Sequence, residues 1–195
     1  MTAIQTLEHQ HQQIGLVARA CGIFAQLLEQ GTTVPPAVLM SVADFLNVFD
    51  DRYHRDGEAR LFGILRAKGI PAGGCPMGAL THEYLKLQVL RAQLASAAGI
   101  YATADGTIRD TLIGTLQALS ELYAEHLWKE DYLLLPMAAK VMSDGDLSGL
   151  AESLEALRVE KGPDADRALA EVRAAIQACP DCGLDSGPIA CSKAT

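Results

Sequence analysis

Apolar residues recur along this chain with the period of a helix and hardly anywhere with that of a strand. Sustained apolar/polar alternation is missing and β-branched runs are few. The spacing predicts a first helix over residues 3 to 30, closed by Gly31 before TTVPP. A second begins near the prolines, with Pro36 in its first turn, and runs to LRAKG, where Gly69 suits a C-cap. After the loop GIPAGGCPMG a third helix covers about 79 to 102 and stops at ADGT; a fourth runs from about 107 to 141. Beyond SDGD two shorter helices are expected, near 146 to 160 and 164 to 178, split by KGPD. Four long helices with short connections predict an all-α fold, an up-down-up-down four-helix bundle over residues 1–142. Two short extra C-terminal helices over 143–178 would pack on it, and residues 179–195, without periodicity, form an irregular Cys-containing tail.

Composition narrows the class. Hydrophobic residues make up 49% of the 195, enough for a sizeable core. The formal charge is −8 and the pI near 5.0, and no Lys/Arg stripe is available to neutralise phosphates, so a nucleic-acid binder is not expected. The opening MTAIQTLEHQHQQ has neither the basic nor the apolar region of a secretory signal. Arg19 interrupts the apolar stretch of the first helix, and no segment approaches a membrane span. A soluble, cytoplasmic protein is expected.

Candidate chemistry lies where this pattern is violated. In YAEHLWKEDYLLLP, residues 123–136, His126 and Glu130 stand one turn apart and run into Leu133, Leu134 and Met137. Positions i and i+4 are only about 40° apart on a helix, so both polar groups approach the face that packs inward. An unpaired buried carboxylate is costly, so something must compensate it. The second helix repeats the spacing with His54 and Glu58 in HRDGE, and the third opens with His82 in line with Leu85 and Val89. The first helix offers two histidines. His11 aligns with Ile4, Leu7, Ile14 and Ala18, whereas His9 points toward Leu16, Ala20 and Ile23; periodicity alone does not separate them.

The order is thus His, HxxxE, His, HxxxE. His11 and His54 are 43 residues apart, His82 and His126 are 44 apart. One histidine on an apolar face is ordinarily a satisfied core residue, and one HxxxE an ordinary surface pair. Two hairpins that make the same offering point instead to a dinuclear metal site with near two-fold symmetry, in which metal charge compensates the carboxylates.

This order resembles the hemerythrin-like (HHE cation-binding) domain family, four-helix bundles with a non-heme di-iron centre, over residues 3 to about 141. The family's first ligand sits in a pattern like LxxxHxxI, and LEHQHQQI, from Leu7 to Ile14, matches it with His11. The resemblance implies that His11, His54, Glu58, His82, His126 and Glu130 ligate two iron ions, Glu58 and Glu130 bridging them with an oxo or hydroxo group. Where oxygen carriers have a second histidine on the third helix, this chain has Lys86. Four imidazoles, two bridging carboxylates and the bridge fill about ten of roughly twelve octahedral positions, one vacancy on each metal. That implies a centre open to O2, NO or peroxide, more reactive than a carrier. The binding role is favoured over an enzymatic one, although NO or peroxide reduction is compatible. The alternative is a labile di-iron store or donor for iron homeostasis or iron–sulfur cluster repair. Ligand type alone does not choose iron over manganese or zinc.

Other residues have ordinary readings beside functional ones. Lys86 would reach a bound anion or the metal, or extend into solvent. Glu83 could supplement a ligand but lies about 100° from His82. Asp50, one turn before His54, is placed to orient that ring, or lies on a solvated face. Tyr53, Tyr84, Tyr123 and Tyr132 flank the ligand turns, and packing is their ordinary role; one could hydrogen-bond a bound molecule. Cys21 falls in an apolar helical pattern and reads as a small buried hydrophobe. In CPDCG, Cys179 and Cys182 resemble half of a rubredoxin or zinc-ribbon site for Zn or Fe, with Cys191 and Cys75 the remaining candidates; an inert or reversibly oxidised tail is the ordinary reading. A structural disulfide framework is not expected in a cytosolic chain.

Overall fold

Thr2 starts the first helix with a reciprocal cap: its side chain accepts from the Gln5 N–H, and the Gln5 side chain accepts from its own N–H. In the computed structural model, which describes residues 1–74, 76–101 and 106–179, helix α1 (Ala3–Glu29) runs to Gly31. Gly31 has φ +89°, a left-handed turn that favours glycine. Helix α2 (Pro36–Phe45) starts with proline where no N–H is needed and passes into a π-helical stretch, π1 (Leu46–His54), and then α3 (Arg55–Ala67). Gly69, φ +88°, closes it and lets the Ile70 N–H bond the Leu65 carbonyl. Helix α4 (Met77–Ile100) follows, then α5 (Gly106–Lys129), which continues through π2 (Glu130–Leu134) into α6 (Leu135–Val141). Ser143 and Asp146 cap the last helix, α7 (Asp144–Gln177). No strand occurs among the described residues, and no helix among them is long and apolar enough to cross a membrane.

The two π stretches have a visible cause in the sequence. Buried positions fall at Val42, Leu46, Asp50, His54 and Glu58, and again at His126, Glu130, Leu134, Ala138 and Met142, always four apart. On an ideal α-helix each such step drifts about 40°, so these stripes would wind off the core. A π turn is wider, and it takes up the drift. The Arg55 N–H bonds back to the Asp50 carbonyl and the Leu135 N–H to that of Glu130, five residues in both cases. Both wide turns adjoin an HxxxE pair.

Helix α1 packs on α5, α5 on α4, and α4 on α2. The buried apolar residues divide into two clusters. The larger holds Ile14, Phe24, Phe45, Tyr53, Tyr84, Leu116 and Leu127; the smaller holds Leu7, Leu61, Leu65, Leu80, Leu134 and Leu150. Between them the buried residues turn polar: His11 on α1, His54 and Glu58 at the junction of π1 and α3, Glu83 on α4, and His126 and Glu130 at the junction of α5 and π2.

The expected break at KGPD does not occur. Helix α7 is continuous through Gly162 and Pro163. Proline removes the bond to the carbonyl of Val159, and it does so on the outer side of the helix, where Val159 is 68% exposed. The single helix packs along α1, α2, π1 and α3. It comes so close to the HxxxE turn that a Cβ on Gly57 would stand 2.8 Å from Leu154 Cδ2.

Candidate metal centre

Five buried side chains meet in the polar layer. His11 comes from α1, His54 from the end of π1, Glu58 from α3, His126 from α5 and Glu130 from the start of π2. They form two overlapping groups, His11–His54–Glu130 and Glu58–His126–Glu130, within each of which the ligand atoms lie no more than 4.8 Å from one another. Glu130 belongs to both. Its Oε2 stands 3.1 Å from His11 Nε2 and 3.9 Å from His54 Nε2, and its Oε1 stands 3.0 Å from His126 Nε2. His54 Nε2, His126 Nε2, Glu130 Oε2 and both oxygens of Glu58 are buried and lack an aligned hydrogen-bond partner. Orphaned polar atoms of this kind are costly and uncommon, and here they crowd one place. A convergent imidazole and carboxylate donor set fits a metal ion, and these groups could hold one.

Each ring is oriented from behind. His11 Nδ1 lies 2.5 Å from Asp131 Oδ1, His54 Nδ1 2.8 Å from Gln10 Oε1, and His126 Nδ1 2.9 Å from Glu83 Oε2. With those oxygens as acceptors, each Nδ1 carries the hydrogen, and in the neutral ring Nε2 is left as the donor atom facing the centre. Glu83 is itself held by the Lys129 ammonium at 2.5 Å.

Titration follows from the crowding. Burial pushes Glu130 up, but the facing imidazoles of His11, His126 and His54 outweigh it and hold the carboxyl well below its usual range. Burial and the neighbouring Glu130 charge push Glu58 well above its usual range. His126, despite burial, is raised to about 9, chiefly by Glu130 and then Glu83. His54 is pushed down to about 3 by burial and by the facing His11. The crowding thus drives the two carboxyls in opposite directions, Glu130 toward its charged form and Glu58 toward its neutral one.

Beside the centre lies a buried ion cluster. Arg91 on α4 is 2% exposed, and its guanidinium donates to Asp50 Oδ2 at 2.7 Å, Asp51 Oδ1 at 2.6 Å and Tyr123 Oη at 3.2 Å. Tyr123 in turn donates to Asp50 Oδ2 at 2.5 Å.

The structure thus brings together His11, His54, Glu58, His126 and Glu130, and buries His11 while leaving His9 exposed. It corrects the third helix. His82 is exposed, as are Leu85 and Val89, and it joins neither group. The buried stripe is instead Leu80, Glu83, Tyr84, Leu87, Arg91 and Leu94. Glu83 is in the layer, binding a histidine rather than the ligand space. Lys86 is exposed and lines a shallow groove with Glu121 and Glu125. Asp50 is buried but serves Arg91 and Tyr123; Gln10 takes the role expected of it at His54. Cys21 is a free, buried thiol. Cys179 is buried and disulfide-bonded, the oxidised alternative for the tail, and in that state its sulfur offers no thiolate to a metal. Cys75, Cys182 and Cys191 lie outside the described residues. Gln10, Asp131, Lys129 and Arg91 had no local signal, because each acts on a partner far away in the chain.

No protein-family model, no curated protein and no solved structure matches this chain.

Proposed function

We propose that the chain is a hemerythrin-like dinuclear iron protein that binds O2 or a related small molecule such as NO or peroxide. The observation that carries this reading is the sharing of one buried carboxylate, Glu130, by two three-residue donor groups, five of whose facing atoms lack an aligned partner. In this reading α1, α2–α3, α4 and α5–α6 make an up-down bundle around the centre, and α7 lies along it as a fifth, outer helix. His11 and His54 would hold one ion, Glu58 and His126 the other, and Glu130 both. Bound iron supplies reversible electron transfer and exchangeable ligand positions. The chain's own residues fix three ring orientations through Asp131, Gln10 and Glu83, and two apolar clusters keep water from the layer.

The second reading is a labile iron store or donor. It is favoured by the outward placement of His82, which leaves three imidazoles where the sequence pattern offers four. Fewer imidazole donors hold iron less tightly.

An optical spectrum of anaerobically purified, iron-loaded protein before and after admitting air separates the two. A reversible oxygen-dependent band supports binding. Oxidation that never reverses, together with iron transfer to an apo-acceptor faster than spontaneous release, supports donation. A chain that takes up no transition metal contradicts both.

A further inference from the structure

Four helical columns enclose the polar layer, yet α4 sends neither imidazole nor carboxylate into the ligand space. His82 is exposed, and Glu83 is occupied by His126 and Lys129. The α4 group that faces the centre is the phenol of Tyr84. Its ring is buried, lies edge-on to that of His126 with centroids 4.7 Å apart, and its hydroxyl stands 3.5 Å from Glu130 Oε1. That distance is the outer limit of a hydrogen bond and well beyond the usual O–H···O range, so the hydroxyl is poorly used where it is. The Arg55 guanidinium sits over the ring, 4.9 Å from its centroid. A cation on the π face is attracted to the ring and helps to hold it in place.

We propose that the α4 side of the centre is the seat of an exogenous small anion, and that Tyr84 is its hydrogen-bond donor. The inference rests on the metal reading above and adds to it a location and a preference. Glu130 Oε1 is the oxygen shared with His126, so the seat belongs to the Glu58–His126–Glu130 position rather than to the pair held by His11 and His54. Once Glu130 gives its electron pairs to metal it is a weaker acceptor, and the Tyr84 hydroxyl is left to whatever completes that position. The ligand class follows: small enough for a buried layer, and with negative charge on the atom nearest the phenol. A neutral diatomic without such an acceptor gains nothing from Tyr84.

Azide is the probe. Wild type and Tyr84→Phe are loaded with iron, their iron content and helicity are compared, and both are titrated with azide by optical spectroscopy. The phenyl ring keeps the packing against His126, so Tyr84→Phe is expected to retain iron and fold. Its azide affinity is expected to fall about tenfold, the equivalent of about 1.4 kcal/mol. The azide stretch in wild type should also shift on exchange into heavy water, and that shift should vanish in Tyr84→Phe. Equal affinity with no isotope shift in either protein overturns the inference while leaving the metal reading intact. Loss of iron from Tyr84→Phe also overturns it, by making the phenol a ligand. Failure of wild type to bind iron overturns the metal reading and this one together.

Discussion

Glu83 on α4 accepts from Nδ1 of His126 on α5 at 2.9 Å while it receives the Lys129 ammonium on its other oxygen. That carboxylate fixes which nitrogen of His126 faces the centre. Its charge is held below the usual range despite burial, because His126 and Lys129 both bond to it. Glu83→Ala should leave the fold intact and weaken metal binding by about 10- to 100-fold, the ordinary cost of losing such a partner. Competition against a chelator of known affinity measures it.

Arg91 gives a stability prediction independent of metal. Removing the guanidinium in Arg91→Leu leaves Asp50 buried with only the Tyr123 hydroxyl, which should cost about 3–5 kcal/mol in urea unfolding. Adding Asp50→Asn should restore part of that loss, because the stranded charge is then gone. An unchanged unfolding midpoint for the single variant would contradict the role given to Arg91.

The metal-free chain should lose stability as pH rises from about 6.5 to 9. His126 is raised to about 9 and Glu58 well above its usual value, so the folded chain holds protons that the unfolded chain releases. Their stabilisation is complete below the unfolded values and is lost as pH climbs through the folded ones. His54, pushed down to about 3, is neutral in the folded chain, and because its unfolded form deprotonates near 6.5 it offsets them only at the lower edge of that window. Metal needs both groups deprotonated, so affinity should rise over the same interval and loading should release protons. Melting curves with and without metal at several pH values test both directions.

Gly57 sits between His54 and Glu58 under Leu154 of α7. Gly57→Ala sets a Cβ against Leu154 but also gains about 1 kcal/mol of helix propensity, so the net change should be small. Gly57→Leu has no such compensation. It should push α7 away and cost about 1–3 kcal/mol, read as a lower melting temperature.

How much of this was legible in the sequence depends on whether the signal was local. His54 with Glu58 and His126 with Glu130 announce themselves because a four-residue spacing aims both groups at one side. The same spacing, continued through Leu46, Asp50, Leu134 and Ala138, carries the π turns, although it reads at first as ordinary helix. On α4 the pattern misleads. Leu85 and Val89 are exposed, and a fully buried arginine lies on the true inner face. Arg91 is tolerable there only because Asp50, Asp51 and Tyr123 arrive from other helices, and no local periodicity contains them. On a face drawn through Leu85 and Val89, His82 falls among the ligands and Tyr84 among the packing aromatics. Pro163 misleads for a related reason: a proline breaks a helix by default, but it falls one turn after the exposed residue Val159 in a helix packed along its length.

The most direct measurement is the iron content per chain of anaerobically reconstituted wild type, Glu130→Ala and His82→Ala. About two ions in wild type and in His82→Ala, with neither position filled in Glu130→Ala, is the result expected of a shared carboxylate at a dinuclear centre. Full loading of Glu130→Ala, or loss of iron on removing His82, would contradict it.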